Sequence, residues 1–161
     1  MLKRIIFLFF GFFLLAILQI SFFSHFSILG QIPNLILSVL FLLVFFEKAD
    51  ETFLLPGIFF AGFFSDIFSS RLLGISILIL GLDVLLMKKV LKNVKKQNVL
   101  VFIFLFLLFA IFYQGLLVVI DNIMNGFGFF SLPEFFAQIG YTMFFTILQF
   151  ILCLNFASQK S

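Results

Sequence analysis

The chain alternates between apolar runs and short polar links. Six apolar segments can be marked, at about residues 5–23, 32–46, 52–68, 72–87, 99–120 and 133–157. A helix needs about 20 apolar residues, at 1.5 Å each, to cross the hydrocarbon layer of a bilayer. The middle three segments are shorter, so we expect neighbouring helices to shelter some of them from lipid. The pattern predicts an all-α, polytopic membrane protein with six transmembrane helices in a single integral membrane domain, residues 1–161.

The composition favours the same class. Of the 161 residues, 64% are hydrophobic and only 11% are charged, and 31 are Phe. A soluble domain carries roughly a quarter of charged residues and could not enclose so many large apolar side chains. Lipid removes this problem because apolar side chains can face outward. The one cysteine, Cys153, excludes an internal disulfide framework and a cysteine-rich metal site.

The basic residues are divided unevenly between the two sides that six spans define. Only Arg71 falls on one side, whereas the other side holds Lys3, Arg4, Lys48, Lys88, Lys89, Lys92, Lys95, Lys96 and Lys160. Because cytoplasmic loops carry the excess of Lys and Arg, this asymmetry predicts both termini in the cytoplasm. Topology accounts for the basic residues, and we expect no binding of nucleic acid.

Two acidic residues lie inside or beside the apolar segments, where a charge is costly. Asp66 is near the end of the third segment and allows two interpretations: it anchors a polar site or a partner contact, or it pairs with Arg71 or caps the turn at Ser69 and Ser70. Asp83 is near the end of the fourth segment, and we expect its side chain to extend toward the lysines that follow.

Small residues recur every four positions in the third segment, at Gly57, Ala61 and Ser65. Such a stripe lets helix backbones approach closely. It predicts helix packing within this chain, with contact to a helix of another protein as the alternative.

A second stripe, of polar residues, lies in the sixth segment. At about 100° per residue its members share an arc of about 80°, and they are Gln138, Thr142, Thr146 and Gln149. This stripe should face protein or a cavity and not lipid. Hydrogen bonding between helices is the first interpretation, and a ligand site is the second.

No sequence motif indicates catalysis. The chain contains no G-x-S-x-G, no phosphate-binding glycine loop and no paired carboxylates in one segment. His25 is the only histidine and has no second ligand at a suitable spacing. We therefore expect no enzyme activity, no cofactor and no metal site.

Part of the chain resembles a known family. The runs Leu18-Gln19-Ile20-Ser21-Phe22-Phe23 and Leu29-Gly30-Gln31-Ile32-Pro33-Asn34-Leu35, together with the stretch 57–69 and Leu73-Gly74, resemble the rod shape-determining protein MreD. In that family a Pro-Asn pair opens the second helix, a glycine-rich third helix ends in Asp, and a Leu-Gly pair follows. The likeness covers roughly residues 15 to 82, about 40% of the chain.

The resemblance implies a non-enzymatic scaffold and regulator of bacterial cell shape, located in the bacterial cytoplasmic membrane. It implies MreC as the direct partner, with the elongation-specific transpeptidase, its glycosyltransferase partner and MreB contacted indirectly, and membrane lipids around the helices. The partner-binding or structural polar site would comprise Pro33, Asn34, Gly57, Ala61, Gly62, Asp66 and Gly74. We expect Pro33 in the first turn of the second helix.

The family's fold looks like the substrate-binding component of energy-coupling-factor transporters, and this likeness generates the main alternative. In that alternative the chain binds a vitamin in a cavity lined by the polar stripe of the sixth segment. A vitamin site usually needs several convergent polar and aromatic groups. The chain has no Trp and two Tyr, so the scaffold is the favoured function.

Overall fold

A computed structural model describes residues 2–46, 51–69, 72–92, 99–125 and 131–158. In these ranges it has no β-strand, one short 3₁₀ helix at Phe23–Phe26, and six α-helices: α1 Leu2–Ser21, α2 Leu35–Phe46, α3 Glu51–Phe68, α4 Ile75–Leu91, α5 Val99–Asn125 and α6 Leu132–Ser158. The predicted all-α class is confirmed. One helix occupies each predicted segment. Their ends shift by up to five residues, the largest shift being the end of α5 at Asn125 in place of Ile120.

The start of α2 differs from the prediction. Asn34 precedes the helix, and its side-chain Oδ1 accepts a hydrogen bond from the backbone N–H of Leu37 at 3.0 Å. Asn is a favoured residue at this capping position because its side chain satisfies an N–H that the helix leaves unpaired. Pro33 therefore lies outside the helix, and the expectation that it occupies the first turn was wrong.

Helix α2 is the centre of the bundle and contacts each of the other five helices. Nine of its 12 residues are buried: Leu35, Ile36, Leu37, Ser38, Leu40, Phe41, Leu42, Val44 and Phe45. A helix that is apolar on all sides is stable only when it is surrounded. At about 18 Å it is also shorter than the hydrocarbon layer of about 30 Å. Its neighbours shelter it, as expected for the short middle segments.

Phenylalanine rings join α2 to α5 and α6. The ring of Phe41 lies 5.2–5.3 Å from the rings of Phe102, Phe106 and Phe109. Phe102 also stacks on Phe150 of α6, with ring centroids 3.9 Å apart. Offset and edge-on contacts of this kind add to the free energy of burial. Part of the Phe-rich composition thus forms the core.

The helices alternate in direction, so α1, α3 and α5 end where α2, α4 and α6 begin. Contacts between a helix end and the start of the next helix show this arrangement for Gln19 with Leu35 and for Asp66 with Gly74. The second half of α5 meets the first half of α6 in the same way, through Gln114 and Gln138. We call this the capped end of the bundle. Lys3, Lys88, Lys89 and Lys92 lie at the opposite end, which we call the lysine end.

The outer surface of the described helices is strongly apolar. On α1, for example, Phe7, Phe10 and Leu14 are 76%, 61% and 66% exposed. Two helical stretches are long and apolar enough to cross a membrane, Val99–Met124 and Leu132–Cys153, and only 33% and 22% of their apolar windows are buried. The core helices of soluble proteins are mostly buried, and soluble proteins rarely expose apolar patches of this extent. These features support association with a membrane.

Candidate functional site

Asp66, at the end of α3, caps the start of α4. Its side chain is fully buried. Oδ2 accepts a hydrogen bond from the backbone N–H of Gly74 at 2.7 Å, and Oδ1 accepts one from the N–H of Ser76 at 3.0 Å. The first N–H groups of a helix have no partner within the helix and carry partial positive charge, so a carboxylate is stabilised there. This pairing explains why a carboxylate is tolerated among apolar side chains.

The contact bears on the two interpretations of Asp66. The carboxylate of Asp66 caps the start of α4, whereas the second interpretation placed its cap at the turn of Ser69 and Ser70. Ser70 and Arg71 lie outside the described residues. Because both carboxylate oxygens bind the backbone of α4, the geometry favours the structural interpretation over a direct partner contact.

Gly74 gives the chain the turn that this cap requires. It directly precedes α4 and has φ +105° and ψ −17°. Residues with a side chain rarely adopt this left-handed region, whereas glycine does so at little cost. The Leu-Gly pair of the sequence thus positions a backbone N–H for Asp66.

Gly62 sets the distance between α3 and α4. A Cβ atom added at this position would lie 2.5 Å from Cα of Ile77 and 2.6 Å from its backbone N. The neighbouring Ala61 is fully buried. At Gly57 the nearest atom would be Leu40 Cδ1 at 3.9 Å, which is an ordinary contact. Gly62 and Ala61 are therefore covered within the chain, and packing requires a glycine at 62 but not at 57.

A hydroxyl network joins α3, α4 and α5 next to the Asp66 cap. Ser65 Oγ lies 3.1 Å from the hydroxyl of Tyr113, which donates a longer bond of 3.5 Å to Ser76 Oγ. Tyr113 is almost completely buried. Tyr113 was not among the predicted site residues. A lone tyrosine within a Phe-rich helix was the available signal, because its buried hydroxyl needs a partner.

The polar stripe of α6 faces protein along its length. Thr142 Oγ1 accepts a hydrogen bond from the backbone N–H of Asn34 at 3.0 Å and donates one to the carbonyl of Gln138 at 2.7 Å. Thr146 Oγ1 donates to the carbonyl of Thr142 at 2.8 Å. At the two ends of the stripe, Ser38 Oγ donates to Gln149 Oε1 at 2.9 Å, and Gln114 Nε2 donates to Gln138 Oε1. The bonds made by Asn34, Ser38 and Gln114 connect α6 to the start of α2, to α2 itself and to α5. The two threonine hydroxyls donate within α6.

A cavity of about 220 Å³ lies at the capped end, between α1, α3, α6, the start of α2 and the residues that precede it. Its lining consists of Ala16, Gln19, Ile20, Ile32, Asn34, Ile36, Phe64, Ser65, Phe68, Ser69 and Gln138. Of the α6 stripe, only Gln138 belongs to this lining. No charged side chain is among the lining residues.

Asp83 on α4 differs from the expectation. Its side chain is 3% exposed, and Oδ2 has no hydrogen-bond partner. A side chain that extends toward the lysines would leave its carboxylate accessible to solvent. The prediction that Asp83 extends in this way was therefore wrong. The buried stripe of α4 that carries Ile79, Leu80 and Val84 also carries Asp83.

The described residues contain no group of three or more His, Cys, Asp or Glu side chains that could hold a metal ion. A scan against protein-family models, a search of curated proteins and a search of solved structures find no match to this chain. Over the part of the chain that it describes, the structure supports the class of an all-helical protein, with two helices suited to a bilayer.

Proposed function

We propose that this chain is a six-span, MreD-like scaffold of the bacterial cytoplasmic membrane that binds MreC and helps to control cell-wall synthesis during elongation. One observation carries the proposal: residues that create the resemblance also determine how the helices meet. Asn34 caps α2, Gly62 sets the contact between α3 and α4, and Asp66 and Gly74 form the cap of α4. Because these positions determine the packing of the helices, we expect the chain to have the fold of the MreD family. That fold resembles the substrate-binding component of energy-coupling-factor transporters.

The distribution of lysines supports the proposed orientation. The described lysines lie at the lysine end of the bundle, which would be cytoplasmic, with the capped end outside. Helix α2 crosses within the shelter of its neighbours, so its short length is compatible with six spans. Arg4 belongs to the first turn of α1, at the same end as Lys3. The other basic residues of the topology argument, Lys48, Arg71, Lys95, Lys96 and Lys160, lie outside the described residues.

A partner helix would bind elsewhere than at the residues predicted from the resemblance, because several of those residues are buried. Ala61, Gly62 and Asp66 are buried and cannot touch another protein. In the proposed scaffold these residues hold α3 against α4, and the partner meets side chains that the bundle leaves exposed. The contribution of Asp66 to partner binding is then indirect, through the geometry of α4.

The vitamin-binding alternative has less support. Thr142, Thr146 and Gln149 are occupied by hydrogen bonds within the chain. The cavity at the capped end is about 220 Å³, which is below the roughly 300–1,000 Å³ of small-molecule sites. A stripe that joins helices has few groups left to recognise a vitamin.

Co-purification tests the proposal. The chain is co-expressed with the host's MreC-like protein, extracted in detergent and separated by size exclusion. We expect one species of fixed stoichiometry, and no such species with an unrelated single-pass protein carrying the same tag. If both proteins are folded and still separate in repeated trials, the scaffold proposal fails. Mass spectrometry of the separated chain would then be used to search for a bound vitamin.

A further inference from the structure

Two side-chain amides at the capped end have a fixed orientation. Gln19 Oε1 accepts a hydrogen bond from the backbone N–H of Leu35 at 3.1 Å, and Asn34 Oδ1 accepts one from the N–H of Leu37 at 3.0 Å. A backbone N–H can only donate, so the oxygen of each amide must face α2. The NH₂ group of each side chain then points elsewhere, and among the described residues neither group has a partner.

The space that these NH₂ groups can reach is the cavity. Asp83 Oδ2 is the one fully buried side-chain N or O atom without a partner in the described part of the chain, so Gln19 Nε2 and Asn34 Nδ2 are accessible. Asn34 is only 9% exposed and lines the cavity, as does Gln19. Gln138 adds a third NH₂ group, since its Oε1 accepts from Gln114. The cavity is therefore rich in hydrogen-bond donors.

The two serine hydroxyls of the lining bond elsewhere in the chain and not with these NH₂ groups. Ser65 Oγ bonds with Tyr113, and Ser69 Oγ donates to the carbonyl of Asp66 at 3.4 Å. The two carboxylates nearest in sequence to the lining, Asp66 and Glu134, are negative and disfavour an anion. The complementary ligand thus presents neutral oxygen acceptors.

The cavity also lies at a defined depth. Gln19 is in the last turn of α1, Asn34 directly precedes α2, and Phe68 is the last residue of α3. Gln138 is about 9 Å inside α6, counted from Leu132. In the six-span arrangement this is the boundary between hydrocarbon and headgroups, where the ester linkages of glycerolipids lie. The volume equals about seven water molecules at roughly 30 Å³ each, enough for an ester linkage.

We propose that the cavity binds the ester carbonyl of a membrane glycerolipid through the NH₂ groups of Gln19, Asn34 and Gln138. Ester carbonyls accept hydrogen bonds and cannot donate, which matches the free donors. The exposed side chains of Ile20 and Phe68 give the lipid chains an apolar surface beside the opening. The proposal depends on the membrane location in the proposed function and is independent of the partner.

The test compares two synthetic lipids that differ only in the linkage. The purified full-length chain is titrated with diacyl phosphatidylethanolamine or with its dialkyl ether analogue, and bound lipid is measured by native mass spectrometry. We expect the diacyl lipid to bind roughly tenfold more tightly, the effect of about one net hydrogen bond. Headgroup and charge are identical, so the difference isolates the carbonyl.

Two matched variants locate the site. Gln19→Glu keeps an acceptor for the N–H of Leu35 but removes the NH₂ donor, and it should weaken the preference for the diacyl lipid. Gln149→Glu makes the same change outside the cavity, where an acceptor for Ser38 is retained, and it should leave the preference intact. Equal binding of both lipids, no binding of either, or a preference that is undiminished in Gln19→Glu would each overturn the proposal. Because the chain is measured alone, failure here is separate from failure to bind MreC.

Discussion

Replacing Asp66 with alanine removes both acceptors that α3 provides to the start of α4. The N–H groups of Gly74 and Ser76 lose bonds of 2.7 and 3.0 Å. Ser76 is fully buried, so water cannot easily replace the carboxylate. Asp66→Asn is the milder change, because its amide keeps one acceptor while the charge that complements the helix start is lost.

The two bonds give the expected magnitude. Hydrogen bonds to a charged group contribute about 1.5–3 kcal/mol each, and loss of a helix cap costs about 0.5–2 kcal/mol. These terms overlap, so we expect Asp66→Ala to lower the free energy of unfolding by about 3–5 kcal/mol. Asp66→Asn should lose about half as much. For a protein of this size 1 kcal/mol corresponds to about 2–4 °C in Tm, so the alanine variant should melt about 10 °C lower.

The assay is thermal unfolding of the purified chain in detergent, followed by the fraction that remains monodisperse in size exclusion. Glu134→Ala is the matched control, because that carboxylate is exposed and has only a 3.5 Å contact with Gln31. If Asp66→Ala melts within about 2 °C of the parent chain, the capping argument is refuted. A variant that stays folded but no longer binds the MreC-like protein would support the indirect contribution of Asp66 to partner binding. Unchanged partner binding and cell width would exclude a functional role for Asp66.

Three further substitutions test the packing and the polar contacts by the same thermal assay. Gly62→Ala should lower the free energy of unfolding by about 1–3 kcal/mol, because the added Cβ meets the backbone of Ile77. Gly115→Ala, with open space around the added Cβ, should be neutral or stabilising. Equal effects of the two substitutions would refute the close contact at Gly62. Thr142→Val should lower the free energy of unfolding by about 1–3 kcal/mol, because the buried N–H of Asn34 loses its acceptor. An unchanged Tm would show that this hydrogen bond contributes nothing to stability. Asp83→Leu should raise Tm because it removes a buried carboxylate oxygen without a partner, and a lower Tm would show that Asp83 has a partner when the protein is in detergent.

Local patterns were sufficient for the helices and for which residues of α6 share a face. Apolar runs and their polar breaks marked all six helices, because a helix is defined by contiguous residues. The arc that contains Gln138, Thr142, Thr146 and Gln149 follows from the helical repeat alone. The ends were less accurate, since side-chain caps such as that of Asn34 on Leu37 decide where a helix starts.

What those residues contact was decided only by the tertiary structure. Asp66 meets the start of α4 because Gly62 lets the two helices touch, and Tyr113 joins them from α5, far away in sequence. Asp83 could extend to the lysines or turn inward, and the packing of α4 turned it inward. The cavity has the same origin, because Gln19, Asn34 and Gln138 come from three separate segments. A sequence determines which residues share a helix face, but the face that a neighbour covers depends on how all six helices pack together.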